Sequence, residues 1–318
     1  MTKRFSSSKR LLVVVVAMST LAAVCGGSSW ATTKHPATKV TVVNGVPVSV
    51  NAAAAKLVPS AYRSLISIVT SAPFPPFEQF GPNEKLEGLD IDTGNALAAV
   101  LGTKAQFSSI DFNGVIPALQ AGKYNLLLAD TGDDAERAGA LNFVEYSLQG
   151  EVLVVPAANP HHITSFKSMC GLTLSVESGD NPTSFFNPIQ SYCASVHRSP
   201  VTIKSLPTTA DALLALMSGS AQAQFVGVGA APSLAKDVNG KVKIVNVPRM
   251  TGGYNALYVG VGLPKSSPLL SAVKAGMKVL LADGVLRKLF TKYGLQATLL
   301  PSVKVNAIGS GGGSTINL

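Results

Sequence analysis

Apolar and polar positions along this chain follow two periods that take turns. Short β-branched or leucine-rich runs at 65–69, 126–129, 151–155, 172–176 and 224–228 have the length and flanks of buried strands. Between them the apolar spacing changes to three and four. Helices are predicted over 95–101, over 114–121 with Pro117 in its first turn, and over 210–217, capped by Thr208 or Thr209 and ended by Gly219. Ser267-Pro268 opens another helix, Gly284 breaks it, and 285–293 forms the last. Leu269, Val273, Met277, Leu280 and Leu281 recur at helical spacing and are expected to pack back on the first lobe. The chain would then cross between two lobes twice. Strands alternating with helices predict an α/β architecture, each lobe a mostly parallel sheet with helices on both faces.

The two ends depart from this pattern. Lys3, Arg4, Lys9 and Arg10 precede an apolar run at 11–24, too short to span a membrane comfortably and laid out as a secretory signal over residues 1–24. Two processing readings stand. Cys25 followed by Gly-Gly-Ser resembles a bacterial lipoprotein site, whose cysteine is acylated and anchors the protein to the membrane; this reading is preferred. Ser29-Trp30-Ala31 is a small-x-small site that would release a soluble protein. Residues 25–56 read as the anchor site and a tether with one short strand near 40–50, and 301–318 as a flexible tail. Either way the chain is expected to be exported, to the periplasm or cell surface.

Export changes how charge and cysteines are read. The net charge of +9 falls to +5 without the signal, because the signal holds four basic residues and no acidic one. That surplus is spread along the chain, with no basic run interleaved with aromatics, so a nucleic-acid partner is not expected. With Cys25 given to lipid, Cys170 and Cys193 remain, and an even pair in an oxidising compartment is most simply one disulfide.

The chemistry on offer is that of binding. His161 and His162 are adjacent, so they cannot share a helix face as paired metal ligands would, and there is no GxSxG, P-loop or CxxC. Neither catalysis nor a cofactor is expected. The informative stretch is 110–137, which reads as helix, strand and a turn closing on Arg137, outside the carboxyl end of a strand.

Several motifs carry a resemblance. Residues 73–78 are PFPPFE, 88–92 are GLDID, 110–125 are IDFNGVIPALQAGKYN, and Glu136-Arg137 ends the turn. Phe143 and Tyr146, the run 206–216, Ala282-Asp283-Gly284 and Lys292-Tyr293-Gly294 extend the match over roughly 57–295. The chain resembles the family 3 solute-binding proteins of polar amino acid ABC transporters, in a subgroup with one disulfide in the second lobe. The resemblance implies a monomeric two-lobed clamp that closes on a small molecule and delivers it to an ABC permease. Lobe 1 would take 57–155 and 254–300, lobe 2 would take 156–253, and the crossovers would fall near 154–160 and 247–253.

It also implies a site. Arg137 would grip the ligand's carboxylate as a planar two-donor fork, and Phe74 and Phe112 would sandwich its side chain. Phe77 and Phe107 are expected in the core. Other positions depart from the family pattern. Gly132 lacks a hydroxyl that normally helps hold the carboxylate, Asp130 adds a charge to the turn, and Asp180-Asn181 replace the usual Thr-Thr. Gly227 stands where the family offers an aspartate to the ligand's ammonium. Because a buried ammonium must be paired, Asp130 or Asp180 is expected to take over, for a zwitterionic or cationic ligand. Asp133 and Asp134 are expected to cap the next helix. Two alternatives remain on the same fold: a cyclohexadienyl dehydratase-like enzyme using Glu177 as its acid, and a ligand sensor.

Overall fold

The computed structural model describes residues 39–180, 182–245 and 254–308. Cys25, the signal, Asn181, the expected crossover at 247–253 and the end of the tail lie outside them.

The first elements are not a tether. Strands β1 (Val40–Val43) and β2 (Val46–Ser49) form an antiparallel hairpin, followed by helix α1 (Ala52–Lys56). The turn is Asn44-Gly45, both with positive φ, as a two-residue hairpin connection requires. Val43, Val46 and Val48 are buried in the main core, and such burial stabilises by roughly 1.5–3 kcal/mol per side chain. Polar-looking composition hid a valine-rich face that pays for order.

The first lobe is built on β3 (Ile66–Thr70), β6 (Ala105–Ser109) and β7 (Leu126–Leu127), with β3 parallel to both neighbours. A small hairpin, β4 (Gln79–Phe80) and β5 (Leu86–Glu87), leads into α2 (Leu89–Val100). Helix α3 (Phe112–Gln120) begins two residues before its expected start, so Pro117 sits inside the helix rather than in its first turn. There it supplies no N–H to the Asn113 carbonyl. The turn after β7 contains β8 (Gly132–Asp133) and α4 (Ala135–Ala140).

Next comes β9 (Leu141–Pro156), sixteen residues without a break and buried along most of its length. Its partners change along the way. Residues 141–151 pair with β14 (Tyr254–Pro264), with a register shift after Gln149, and residues 151–154 pair with β12 (Ala223–Gly227), so Glu151 is shared. The crossing between lobes therefore lies near Gly150, several residues before the expected 154–160.

The second lobe orders β11 (Thr202–Leu206), β10 (Thr173–Glu177), β12 and β9, the first three parallel, with β13 (Val242–Ile244) on β9. Helices α5 (Pro182–Ser195), α6 (Thr209–Met217) and α7 (Ala231–Asp237) connect them. Thr208 is the cap of α6, accepting from the Asp211 amide. Cys170 and Cys193 form the expected disulfide inside this lobe's core, tying α5 to the loop before β10.

The last elements return to lobe 1. In α8 (Leu270–Ala282), Val273, Met277 and Leu280 are buried, and α8 and α9 (Val285–Lys292) both pack on α2. The tail is ordered further than expected: β15 (Leu299–Val305) adds to β9, and the amides of Ala307 and Ile308 donate to Glu145 and Asp133. Those bonds satisfy backbone groups that a free tail would leave to water.

Candidate functional site

The cleft is assembled from loops at strand ends. After β3 the chain folds tightly: the Phe74 amide donates to the Glu78 carbonyl, and the amides of Phe77 and Glu78 donate back to the Phe74 carbonyl. Phe74 and Glu78 thereby face one inner chamber. Phe77 stacks behind Phe74, ring centroids 5.6 Å apart, and belongs to the core as expected. Phe107 packs against the same core, half-buried.

After β7, Asp130 takes a φ of +42° and its amide donates to Asp90 Oδ2 at 2.6 Å. The Tyr146 hydroxyl donates to the other oxygen of Asp90 at 3.3 Å. Asp90 is thus a buried strut under the binding turn. Burial lifts its pKa to about 6, against the hydrogen bonds it accepts.

Asp134 caps α4, accepting from the amides of Glu136 and Arg137 at 2.9 and 2.8 Å, as expected of it. Asp133 caps nothing; it is fully buried beside Glu145 and accepts from Ile308. The capped turn aims Arg137. Its Nε lies 3.5 Å from Asp134, Nη1 donates to the Gly132 carbonyl at 3.3 Å, and Nη2 donates to the Gly179 carbonyl at 3.0 Å. The guanidinium lies 5.5 Å from the Phe112 ring centre. Among the described contacts each Nη atom keeps one N–H uncommitted, the two-pronged arrangement that suits a carboxylate.

The bond from Arg137 to Gly179 crosses between the lobes. A Cβ on Gly179 would come within 2.7 Å of Asn113 Cα, so the lobes are closed on each other at that point.

Two chambers share the wall made by Phe112 and Asp180. The outer one holds Arg137, Asn113, Pro117 and Gly179. The inner one holds Phe74, Gly227 and five carboxylates, from Glu78, Asp130, Glu151, Glu177 and Asp180, with no lysine or arginine among the described residues that line it. Burial, reinforced by neighbouring acids, pushes Glu78 and Asp130 well above the usual carboxylate range. Glu151 rises likewise, through burial first and Asp180 second, with Arg137 opposing. Burial also lifts Glu177 to about 7, although Thr209 donates to it at 2.5 Å.

Of the residues expected in the site, Arg137, Phe74, Phe112, Asp130, Asp180 and Gly227 converge on these chambers. Gly132 does not. A Cβ there would meet Leu257 of β14 at 2.9 Å, so position 132 faces the sheet, and only its carbonyl serves Arg137. The lost hydroxyl is therefore not missing from the chamber linings. Glu78 and Glu151 were not singled out by the sequence. Glu78 ends the PFPPFE motif, a signal that could have found it; Glu151 opens an ordinary strand and offers none.

With this geometry in place, known proteins give it context. The model of the bacterial extracellular solute-binding proteins, family 3, matches residues 66–296. The arginine-binding protein ArgT of Corynebacterium glutamicum is 26% identical over 247 residues, 77% of this chain and 79% of that protein. Among solved structures, an ancestral arginine-binding protein bound to arginine superposes with a TM-score of 0.64 at 28% identity, over 72% of this chain and 98% of that one. The substrate-binding protein of an amino acid ABC transporter gives a TM-score of 0.63 at 30% identity, over 72% and 99%. Family match, two-lobed fold and closed cleft agree: this chain belongs to the bacterial extracellular solute-binding proteins, family 3.

Proposed function

We propose that this protein is the exported receptor of an ABC transporter and captures an amino acid with a positively charged side chain, arginine being the first candidate. The observation that carries the reading is the inner chamber: five carboxylates, no cation among its described lining residues, and Arg137 in the adjoining chamber. Burial holds these acids in their protonated form while the chamber lacks a positive charge, and a cationic ligand is the partner that lets them ionise, whereas a neutral or acidic ligand gains nothing from them. An amino acid cation instead meets a carboxylate-binding fork at one end and acids at the other. Phe74 and Phe112 offer ring faces to an alkyl chain or a guanidinium. Asp130 and Asp180 share the field that holds the positive groups. The relatives are binding proteins, two of them for arginine, and this supports capture rather than turnover.

Delivery needs the protein near its permease. In this reading Cys25 carries the lipid anchor, with cleavage after Ala31 as the other route, and the receptor works as a monomer. Mass spectrometry of the mature N-terminus separates the two routes.

Calorimetry of the purified protein with L-arginine, L-lysine, L-glutamine and L-glutamate tests the main claim. Binding of arginine or lysine, weak binding of glutamine and none of glutamate are expected. Arg137→Ala is expected to lose at least a hundredfold for the best ligand, since a charged two-pronged contact is removed. Preference for glutamate, or unchanged affinity in Arg137→Ala, would refute the assignment.

A further inference from the structure

The chamber carboxylates are not equivalent, and their placement assigns them to different parts of a ligand. Among the described residues no three His, Cys, Asp or Glu side chains lie close enough to share a metal ion. The negative charge is spread along the chamber, which suits an extended organic cation. Glu78, 1% exposed, shares a side-chain hydrogen bond with Asp90, whereas among the described residues Asp130 Oδ1 and Glu151 Oε2 are buried without a partner. Unpaired buried acceptors are costly, so these atoms are set to be satisfied by something that enters.

Glu151 sits directly opposite Gly227 across the antiparallel pair of β9 and β12. Opposed residues in such a pair send their side chains to the same face, about 5 Å apart. Gly227 sends none, so the face beside Glu151 is left open. That opening looks into the chamber, because a Cβ on Gly227 would stand 3.7 Å from both Asp130 Oδ2 and Phe74 Cζ. Position along the chamber follows from neighbours. Glu151 feels Arg137 and Asp180, Glu78 feels Asp90, Asp130 and Glu177, and Asp130, which feels Asp90, Glu151 and Asp180, lies between them. Glu151 therefore stands at the Arg137 end, and Glu78 lies deeper in lobe 1.

We propose that Glu151 is a specificity-determining residue that receives the ammonium next to the ligand's carboxylate, that Gly227 is small to give it room, and that Glu78 with Asp130 takes the distal positive group. The carboxylate for the α-ammonium comes from the crossover strand rather than from the end of β12. This assignment rests on the reading of the protein as a receptor for cationic amino acids.

The test pairs variants with ligands. L-Arginine and 5-guanidinopentanoate differ only in the α-ammonium, and calorimetry measures both against wild type, Glu151→Gln, Glu151→Ala and Glu151→Ala combined with Gly227→Asp. Wild type should prefer arginine. Glu151→Gln should weaken arginine at least thirtyfold and 5-guanidinopentanoate less than threefold. Gly227→Asp in the Glu151→Ala background should recover at least tenfold for arginine, because it returns a carboxylate to the same face from the facing strand; a merely structural role for Glu151 would not be rescued in this way. Equal loss for both ligands, unchanged arginine affinity in Glu151→Gln, or no recovery by Gly227→Asp overturns the assignment while the receptor reading stands. Absence of binding of any cationic amino acid to wild type overturns both.

Discussion

Proton release should accompany capture of a cation, and the structure gives its sign and size. Glu177 lines the inner chamber, and burial raises its pKa from 4.5 to about 7. Glu78, Asp130 and Glu151 are raised as well, again through burial first. A raised carboxyl pKa means that the empty, folded protein holds its protons longer than the unfolded chain does. At pH 6 Glu177 is roughly 90% protonated in the empty cleft, from a pKa of about 7. A bound cation favours the ionised form, so binding expels that proton. Returning Glu177 from about 7 to 4.5 corresponds to at most about 3.4 kcal/mol, available only if the ligand cancels the whole effect of burial. Through Glu177, affinity for L-arginine should therefore rise with pH, about tenfold per pH unit for the one proton released, between about pH 5 and 7. The stability of the empty protein runs the other way. The contribution of Glu177 is full below pH 4.5 and is lost as pH climbs through about 7; that of Asp90, raised from 3.8 to about 6, is lost earlier. Calorimetry at pH 5.5, 6.5 and 7.5, each in two buffers of different ionisation enthalpy, measures the protons directly. A binding heat independent of buffer, together with an affinity flat across this range, would refute the coupling.

Two further outcomes follow from the closed form and the second lobe. Gly179 has a φ of +88° and no room for a Cβ against Asn113, so Gly179→Ala should block the last step of closure. Its arginine affinity should fall at least tenfold, beyond the modest loss of melting temperature that the positive φ imposes on the empty protein, and a wild-type affinity would mean that this contact is not part of closure. The disulfide closes a loop across a sequence separation of 23, which by chain entropy is worth about 3.4 kcal/mol. Urea unfolding of the Cys170→Ala/Cys193→Ala double variant should show a loss of that order in the second lobe, and equal midpoints with wild type would deny the bridge a stabilising role.

What could be read from the sequence was what local periodicity and turn chemistry control. The helix, strand and turn leading to Arg137 were legible because each is fixed by neighbours a few residues away. The hairpin at 40–49 was also written locally, in Asn44-Gly45 between valines, but the surrounding Thr, Ala and Pro made it look like a tether. The misplacement of Gly132 has another cause. In a two-residue strand, the face a position takes depends on its pairing partner, here Val259 of β14, and nothing local announces that pairing.

The acidic chamber was hidden for a stronger version of the same reason. Its carboxylates come from a turn, a loop, a crossover strand, the last residue of β10 and the loop beyond it, so no spacing rule links them. Two facts do connect them, one local and one not. Asp130, Glu177 and Gly227 all stand at or just past the carboxyl end of a parallel strand, where open sheets put their ligands, and that much follows once the strands are known. The pairing of Glu151 with Gly227 requires knowing that one unbroken strand serves both lobes. A glycine in place of a charged side chain therefore reads as a loss when its own strand is considered alone. Beside its register partner, the same glycine is the space into which a carboxylate from the facing strand projects.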